Sequence, residues 1–535
     1  MEGAKGEQGT GVRILGTLPD ESSLPISGVS GDAYLINGDL YVWSGTTNDW
    51  TNVGTIKGPK GDIGPQGPTG EQGPPGQDAD LTEINQKVDD LKTEVIEHLA
   101  HFISVTRFGL FKDSSTIQNA LDFAKSIGGA IVVVPAGTYN ILSAVHIPSN
   151  TKLIAEGKVV FKRMADINAI LHNDADGVTG VYDANANITV TGIIFDANNT
   201  EFTSNTTSLA FGHCTNIVVE DCEFLNCRTW HDLELNGCKD SLVINCNFVG
   251  YSGTSEMLQL DFAGSSGQFP WFAPFDDTTC KNITIEKCLF KRLDILTSSS
   301  ADAPKAIGNH SFKNGCVTND VLITNCTFEN FKLAIDLQDV SSFKILNNQF
   351  VDCIVAIEWW DRANAIKDWL IEGNSYDVSN PNYKYPNFTE GRFFNGKLTE
   401  IYYGLSNINI SCNDIRNAIW NAIGLTVKGT VRLGNNFITR SGGRGIYLHG
   451  GDYVIIEGNR VIGNMTAGQG GNDITIGNNT KVAVARCLVT NNIVDSIQSG
   501  TNVTSALITN NIVSSSITNG TAIVKNNMIS GTWTP

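Results

Sequence analysis

The feature that most constrains the fold is a short pattern that recurs along the chain: apolar residues, then Asn or Cys, then any residue, then an apolar one. The intervals between successive matches range from 16 to 42 residues, as in coils of about 20 residues with loops inserted at some turns. A unit this short cannot bury its own apolar face, so the coils must stack. The repeat therefore predicts a solenoid in which Asn side chains hydrogen-bond between neighbouring coils. The Asn or Cys of each match is Cys222, Cys246, Cys288, Cys326, Asn348, Asn374, Asn413, Asn436, Asn459, Asn492, Asn511 and Asn527.

Cysteine replaces asparagine at the first four of these positions. A small side chain that packs inside the solenoid explains this exchange better than disulfide pairing does. The 12 cysteines among 535 residues are also far below the density of a disulfide scaffold. We expect reduced, structural thiols. No pair of CxxC motifs and no HxxxH motif is present, so no zinc site is predicted.

The charge balance excludes some classes of partner. The chain has 37 Lys and Arg against 55 Asp and Glu, a formal charge of −18, which repels phosphate backbones and argues against nucleic-acid binding. No apolar run approaches 18 residues, so no membrane insertion is expected. The first residues, MEGAKGEQGTG, lack the layout of a secretory signal peptide.

Residues 58–77 contain the run GPKGDIGPQGPTGEQGPPG, with glycine at every third position. Only the crowded axis of a collagen triple helix requires this spacing, so a homotrimer is predicted. Residues 1–11 carry a shorter remnant of the same triplets. Residues 78–104 follow with apolar positions three and four apart, which predicts a coiled coil that shares the trimeric state.

Residues 12–57 are predicted to form a small β module. The segment AYLINGDLYVWSG gives two alternating strands around the hairpin signal Asn37-Gly38. Its aromatic residues Tyr41, Trp43 and Trp50 suit core packing or trimer contact better than sugar stacking in so short a segment.

Residues 105–535 are predicted to form the solenoid domain. Ser115 to Gln118 form a capping box that opens a helix, Gly128-Gly129 end it, and the strand IVVVPAGTYNI follows. The segment Gly128-Gly129 with Val134-Pro-Ala-Gly-Thr-Tyr139 resembles the start of the pectate-lyase-like superfamily. This resemblance implies a mainly β fold, a right-handed parallel β-helix whose first coil is covered by the helix.

Counting from the repeated Asn or Cys aligns five strands and predicts which polar residues share an outer face. Asp232 precedes Glu234 on the same face, and Tyr447 and Gly424 are predicted to continue the first lane. A single acid on a strand is usually a solvated side chain, but a cluster on adjacent coils beside long insertions predicts a functional groove. The first lane is Glu234, Gln259, Gly308, Asp336 and Glu358; the second is Asn236, Asp261, His310, Gln338 and Trp360.

Paired carboxylates are the groups that glycoside hydrolysis requires. Glu234 and Asp261, one coil and two residues apart, should lie roughly 8 Å from each other, a separation that suits inversion. Asp336 and Glu358, in one lane on adjacent coils, should lie about 5 Å apart, which suits retention and should raise one pKa. The first pair is favoured as the catalytic one, with His310 orienting Asp261 or sharing its proton.

The remaining candidates are expected to bind substrate. Sugar stacking competes with packing beneath a loop as the role of the aromatic residues. No cofactor is predicted; two adjacent acids can bind Ca²⁺, but no motif supports a calcium site. The candidate substrate-binding residues are Asp232, Gln259, Trp230, Trp271, Asp276, Trp359, Trp360 and Tyr447.

Three segments of residues 105–375 look like strand motifs of the pectate-lyase-like proteins of phages: His231 to Leu235, Leu258 to Asp261, and Gly308 to Ser311. The stem resembles that of phage tail fibres. The resemblance implies a tail spike or tail fibre in the virion that depolymerises a bacterial surface glycan or teichoic-acid-like polymer, joined to tail or baseplate proteins by its N-terminal region. Two alternatives stay open: a receptor-binding fibre that does not cut, and a polysaccharide lyase. No arginine or lysine motif of a lyase is evident.

Overall fold

The computed structural model describes residues 11–56, 86–87, 101–174, 180–228, 230–264, 272–293, 304–309, 311, 313, 315–361, 368–383, 392–398, 406–464, 472–477 and 483–534, with backbone alone at 360–361, 392–398 and 406. The predicted triplets of residues 1–10 and 58–77 therefore lie outside the described residues. So does the predicted coiled coil, apart from Gln86 and Lys87, whose backbone is helical, and its last four residues.

The chain divides into two compact units, residues 1–82 and 83–535. In the first, four strands form one sheet, in which β1 is parallel to β2 and the other neighbours are antiparallel. The predicted hairpin is confirmed: Asn37 and Gly38 join β2 to β3 with φ of 52° and 96°, as a primed turn requires. The strands are Arg13–Leu18 (β1), Asp32–Ile36 (β2), Asp39–Ser44 (β3) and Asp49–Thr55 (β4), with a 3₁₀ turn at Glu21–Ser23.

The aromatic residues of this module pack within it. Trp43 is buried, and its ring meets that of Trp50 edge-on with centroids 5.3 Å apart. The Tyr41 hydroxyl donates a hydrogen bond to the Glu21 carboxylate. These contacts support the core-packing interpretation of the three aromatic residues.

The second unit is a parallel β-helix, as predicted. Its strands pair in parallel from coil to coil, and a final antiparallel hairpin, β44 to β45, ends the series. Its elements, in chain order, are Phe102–Ser104 (β5), a 3₁₀ turn at Val105–Arg107, Ser114–Ser126 (α1), Ile131–Ile141 (β6), Val145–Ile147 (β7), Lys152–Arg163 (β8), Ala169–Asn173 (β9), Ala186–Asp196 (β10), Thr207–Gly212 (β11), Thr215–Glu220 (β12), Glu223–Leu225 (β13), Leu233–Asn236 (β14), Lys239–Ile244 (β15), Asn247–Val249 (β16), Glu256–Asp261 (β17), Lys281–Glu286 (β18), Leu289–Lys291 (β19), Lys305–Gly308 (β20), Thr318–Thr324 (β21), Thr327–Glu329 (β22), Leu333–Gln338 (β23), Val340–Leu346 (β24), Gln349–Val351 (β25), Val355–Asp361 (β26), Trp369–Glu372 (β27), Ser375–Asp377 (β28), Arg392–Leu398 (β29), Ser406–Ser411 (β30), Asp414–Arg416 (β31), Ile423–Leu425 (β32), Gly429–Gly434 (β33), Phe437–Thr439 (β34), Ile446–Leu448 (β35), Gly451–Glu457 (β36), Arg460–Ile462 (β37), Ile474–Ile476 (β38), Val484–Thr490 (β39), Ile493–Ser499 (β40), Val503–Thr509 (β41), Ile512–Thr518 (β42), Ile523–Lys525 (β43), Met528–Ile529 (β44) and Thr532–Trp533 (β45).

Two predicted boundaries at the start of the β-helix are corrected. Phe102 to Ser104 pair with the beginning of β6, so the β-helix starts at Phe102 and not at residue 105, and Phe102 is not part of a coiled coil. Helix α1 is capped by Asp113, whose carboxylate accepts a hydrogen bond from the backbone N–H of Thr116 at 3.0 Å. Asp113 therefore fulfils the capping role that the sequence assigned to Ser115, because a carboxylate is a strong acceptor for the free N–H groups of the first turn.

The repeated asparagines form a continuous hydrogen-bonded stack inside the β-helix, as predicted. Asn436 is representative: its Oδ1 accepts from both the backbone N–H and the amide of Asn413, at 3.1 and 2.9 Å. Its own amide donates to the Ile410 carbonyl at 2.9 Å. The same arrangement links Asn348 to Asn527 through every coil between them. Each buried amide thus satisfies backbone groups at a turn where the β-ladder cannot.

The residue before each ladder position makes the turn possible. Asn347, Asn435 and Asn491 have φ of 54–56°, and glycine occupies the equivalent places at 373 and 458. Asparagine and glycine tolerate this left-handed conformation best. The recurring Asn-Asn and Gly-Asn pairs in the sequence therefore encode a sharp corner followed by an inward amide.

Two further stacks fill the interior. The four ladder cysteines are buried, and all twelve cysteines are free thiols, which confirms the prediction of unpaired side chains. Phenylalanine rings stack in parallel on successive coils, with centroids 4.5–5.2 Å apart from Phe195 to Phe350. Within the described ranges, no helix is long and apolar enough to cross a bilayer.

We expect Asn436→Ala to lower the free energy of unfolding by about 2–4 kcal/mol, because it leaves the Asn413 N–H and the Ile410 carbonyl buried without partners. The measurement is urea denaturation of the full chain followed by circular dichroism. Asn247→Ala is the matched control, since Asn247 lies on an exposed strand position and its loss should cost less than about 0.5 kcal/mol. Equal effects of the two substitutions would contradict a stabilising role for the stack.

Candidate functional site

The strand register confirms the predicted first lane. Glu234 pairs with Gln259, Gln259 with Gly308, Gly308 with Asp336, and Asp336 with Glu358. The lane continues through Asn395, Gly424 and Tyr447, as predicted for the last two. In the second lane, Asn236 pairs with Asp261 and Gln338 with Trp360, whereas His310 lies outside the described residues.

These side chains are outside the solenoid core but are not open to solvent. Leu233 and Leu235 point into the core, so alternation places Glu234 between them on the outer face. Glu234 is nevertheless only 3% exposed and Asp261 1% exposed. The sequence predicts a groove here, whereas Glu234, Gln259, Asp261 and Asp336 are covered and Glu358 and Tyr447 are half-buried.

The long insertion after β17 covers one end of this face. Phe272 packs against Ala210, one coil before Glu234 in the same lane. A Cβ atom on Gly212 would lie 2.1 Å from Cγ of Phe272, so glycine at this position is what lets the ring approach the sheet. The insertion after β17 therefore packs directly onto the sheet.

Neutral donors hold the two favoured catalytic carboxylates. Glu234 accepts hydrogen bonds from the Thr207 hydroxyl and the Asn236 amide, both at 3.0 Å. Asp261 accepts one from the Gln259 amide at 2.9 Å. The register puts Glu234 diagonally opposite Asp261, which is the arrangement that the predicted spacing of roughly 8 Å assumes.

Asp232 has the least favourable surroundings of the acids on this face. It is completely buried, and neither carboxylate oxygen has a hydrogen-bond partner among the described residues. Burial raises the pKa of Asp232 well above its usual range. Burial therefore favours the neutral carboxylic acid over the carboxylate at this position.

A cluster that the sequence did not reveal lies beside the lane. The Lys305 ammonium contacts Asp336 at 2.6 Å and Glu256 at 3.2 Å, and both carboxylates are buried. Glycine at position 308 makes room for the Glu256 side chain, because a Cβ atom there would lie 2.8 Å from Cγ of Glu256. Glu256 therefore occupies the space that a side chain at position 308 would fill, next to Asp336 in the lane.

Burial and neighbouring charges have opposing effects on the pKa values of Asp336 and Lys305. Burial raises the pKa of Asp336, and the charges of Glu358 and Glu256 add to the increase, while Lys305 opposes it. The predicted coupling between Asp336 and Glu358 is therefore present, although burial is the larger cause. Burial lowers the pKa of Lys305, but the two carboxylates outweigh it and the pKa is raised overall. The ammonium group thus stays charged.

The predicted aromatic contacts are corrected at one position. Trp359 is fully buried in the core, with its ring 5.3 Å from that of Trp369. Because Glu358 and Trp360 share the outer face, alternation directs Trp359 inward. Trp230 is half-buried, and its backbone carbonyl accepts a hydrogen bond from Tyr251. Trp271 and the side chain of Trp360 lie outside the described part.

Tyr447 and Asp276 are both engaged with protein groups. The Tyr447 ring packs under the Arg444 guanidinium, 4.3 Å from the ring centroid. Asp276 accepts hydrogen bonds from the backbone N–H groups of Val181 and Thr278, at 2.7 and 3.0 Å. Partial burial raises the pKa of Asp276, but these hydrogen bonds outweigh it and the pKa is lowered. Asp276 therefore fastens a loop, and its predicted contact with substrate has no support here.

The chain is similar to several known proteins. Residues 102–358 match the family model described as rhamnogalacturonase A/epimerase, pectate lyase-like, which confirms the resemblance drawn from the sequence. The chain is 24% identical over 300 residues to plasmin and fibronectin-binding protein A of Streptococcus pneumoniae, and 29% identical over 164 residues to the preneck appendage protein of Bacillus phage PZA. These alignments cover 50% and 28% of this chain, but only 37% and 18% of the relatives.

Two solved structures share the fold. A tailspike protein of E. coli bacteriophage HK620, solved in complex with a pentasaccharide, superposes with a TM-score of 0.53 at 13% identity and covers 81% of this chain and 76% of its own. The N-terminal fragment of gene product 12 of bacteriophage Phi29 has a TM-score of 0.52 at 16% identity, with coverage of 83% and 75%. At this identity the likeness shows the parallel β-helix alone.

We expect Asp232→Asn to stabilise the protein increasingly as the pH rises. The folded-state pKa of Asp232 is raised above its ordinary 3.8, so the unfolded chain ionises first and stability falls as the pH rises above that value. Thermal unfolding at pH 5 and pH 8 should show the variant ahead by about 2 °C or more at pH 8, and by less at pH 5. A variant less stable than wild type at pH 8 would mean that Asp232 is ionised and bound.

Lys305→Met should lower the free energy of unfolding by about 3 kcal/mol, because it leaves two buried carboxylates without their cation. Lys313→Met is the matched control, since Lys313 forms an exposed ion pair with Asp277 that is worth less than about 1 kcal/mol. Denaturation of both variants at pH 8 measures the difference. If the two losses are equal, Lys305 does not neutralise the cluster.

Proposed function

We propose that this chain is a trimeric tail spike or tail fibre of a phage, which binds a polysaccharide on the bacterial surface and hydrolyses it. Three lines of support come together: the pectate-lyase-like match, the relationship to phage appendage proteins, and the collagen-like triplets at residues 58–76. The triplets join three chains. The N-terminal region attaches to tail or baseplate proteins, and the β-helix acts outside the host cell.

Hydrolysis is supported by the strand register, which brings acids onto one face of adjacent coils. Glu234 and Asp261 lie diagonally on adjacent coils, each oriented by neutral donors. One acts as the general acid towards the glycosidic oxygen and the other as the general base towards water. A spacing of roughly 8 Å leaves room for that water and yields inversion. Asp336 and Glu358 bind sugar hydroxyls beside them.

Substrate access requires a change in the covering segment. Glu234 and Asp261 are almost fully buried, so the polymer reaches them only when the residues that cover them move away from the face. Closure over the bound polymer would then exclude water from the reaction.

The same burial favours a second candidate function, a fibre that binds its receptor without cutting it. In that case the acids stabilise the fold and the polymer binds elsewhere on the outer surface. Lyase action is a third option. The sequence shows no basic motif of a lyase, but in the structure the Lys305 ammonium lies 2.6 Å from the Asp336 carboxylate. A lyase would need Lys305 to lose its proton, which the raised pKa opposes.

The test is incubation of the full chain with purified surface polysaccharide from a bacterium to which it adsorbs, with assays of reducing ends, chain length and ultraviolet absorption. Wild type should release reducing ends without unsaturated products. Glu234→Gln and Asp261→Asn should each lower kcat about 10²–10⁴-fold while binding persists. Glu220→Gln, on a neighbouring strand of the same coil, should leave activity unchanged.

Each other outcome selects a different function. Binding without new chain ends by wild type identifies a non-catalytic fibre. Unsaturated products identify a lyase. Cleavage that survives both substitutions places the catalytic groups elsewhere.

A further inference from the structure

The last coils of the β-helix carry an apolar lane on an outer face. Ile455 pairs with Leu488, Leu488 with Leu507, and Leu507 with Ile523. Their chain neighbours Val454, Cys487 and Ala506 are the buried ones, so alternation turns this lane outward. In the preceding coils the same lane is mixed and mostly polar, in the order Lys344, Leu370, Asn409 and Arg432.

This lane is half-buried at Ile455, Leu488 and Leu507, exposed at Ile523, and borders a groove. Ile523 is 65% exposed, and Tyr453 beside the lane is 50% exposed. A shallow groove of about 320 Å³ runs between Tyr453, Leu488, Leu507 and Ile523, with the polar residues Arg486, Ser505 and Lys525 also in its lining. We call Tyr453, Ile455, Leu488, Leu507 and Ile523 the C-terminal apolar surface. Apolar residues that reach the surface side by side mark an interaction surface more often than isolated ones do.

Charge identifies the partner that this surface suits. Residues 451–535 contain four acidic and four basic residues, so the whole formal charge of −18 comes from residues 1–450. Two copies of the chain would repel each other over most of their length but not here. The coils with the apolar lane are thus the part of the chain where copies can approach most closely.

The collagen-like triplets explain why identical copies of the chain would lie close to one another. Because a triple helix at residues 58–76 requires three chains, each β-helix is tethered to two identical ones, which raises their local concentration. We propose that the C-terminal apolar surface packs against a second copy of this chain, so that the trimer is joined at its last coils as well as at its stem. This inference rests on the trimer of the proposed function.

Photo-crosslinking of the full chain tests this contact. Ile523 is replaced by p-benzoylphenylalanine, and the purified protein is irradiated at low concentration and analysed on a denaturing gel. Covalent dimers and trimers are expected, because the partner copy lies against position 523. The same probe at Val351, an exposed aliphatic residue of an earlier coil, should give monomers only.

Light scattering on the same samples separates the two claims. A mass of three chains without crosslinks from position 523 would overturn the contact and leave the trimer standing, whereas a mass of one chain would remove both. Leu507→Glu in the Ile523→p-benzoylphenylalanine background should reduce the crosslink yield about tenfold, since a charge within an apolar contact is costly. Val351→Glu should not reduce it, and an undiminished yield with Leu507→Glu would contradict the proposed surface.

Discussion

The hydrogen bonds that join each coil to the next are the interaction on which the rest of the β-helix depends. Parallel strands pair through the backbone, but the turns between them would leave buried polar groups without partners. The stacked side chains from Asn348 to Asn527 satisfy those groups, and each one also binds the next. These hydrogen bonds hold each of these coils in register with the next one. A slip of one residue would turn every inward side chain outward, so the register is strongly specified.

A fixed register brings the acidic side chains together on the outer face. It also brings their negative charges close to one another, which is unfavourable. Acids in one lane come within one strand spacing of each other, and here they are covered as well. Three features reduce this repulsion: neutral donors hold Glu234, the Lys305 ammonium lies between Glu256 and Asp336, and burial raises the pKa of Asp232. Such buried acids and charges stabilise a fold less than apolar residues would. Their presence on one face is therefore better explained by function than by stability.

Much of this arrangement could be predicted from the sequence because it follows from period and turn chemistry. The repeated Asn marked the inward corner, Asn37-Gly38 marked a hairpin, and counting from the ladder placed Asp336 beside Glu358. Trp359 was also predictable in principle, since the residue between two outward side chains points inward. Extending the aligned strands by two residues would have paired Glu256 with Lys305.

Other features could not be predicted because they depend on how loops fold. The insertion after β17 packs onto the sheet through a contact far apart in sequence, Phe272 against Ala210, and no periodicity encodes it. The capping role of Asp113 in place of Ser115 depends on which oxygen reaches the first helical turn. Loop burial therefore decides whether a lane of acids is an open groove or a covered one.

The most direct measurement is a crystal structure of the Glu234→Gln full chain soaked with oligosaccharides from the surface polysaccharide that the protein binds. We expect a glycosidic oxygen within hydrogen-bonding distance of the substituted side chain at position 234 or of Asp261, with the insertion after β17 displaced or closed over the sugar. Sugar bound only at other surfaces, with Glu256, Asp261 and Asp336 still covered, would contradict a catalytic role for this face.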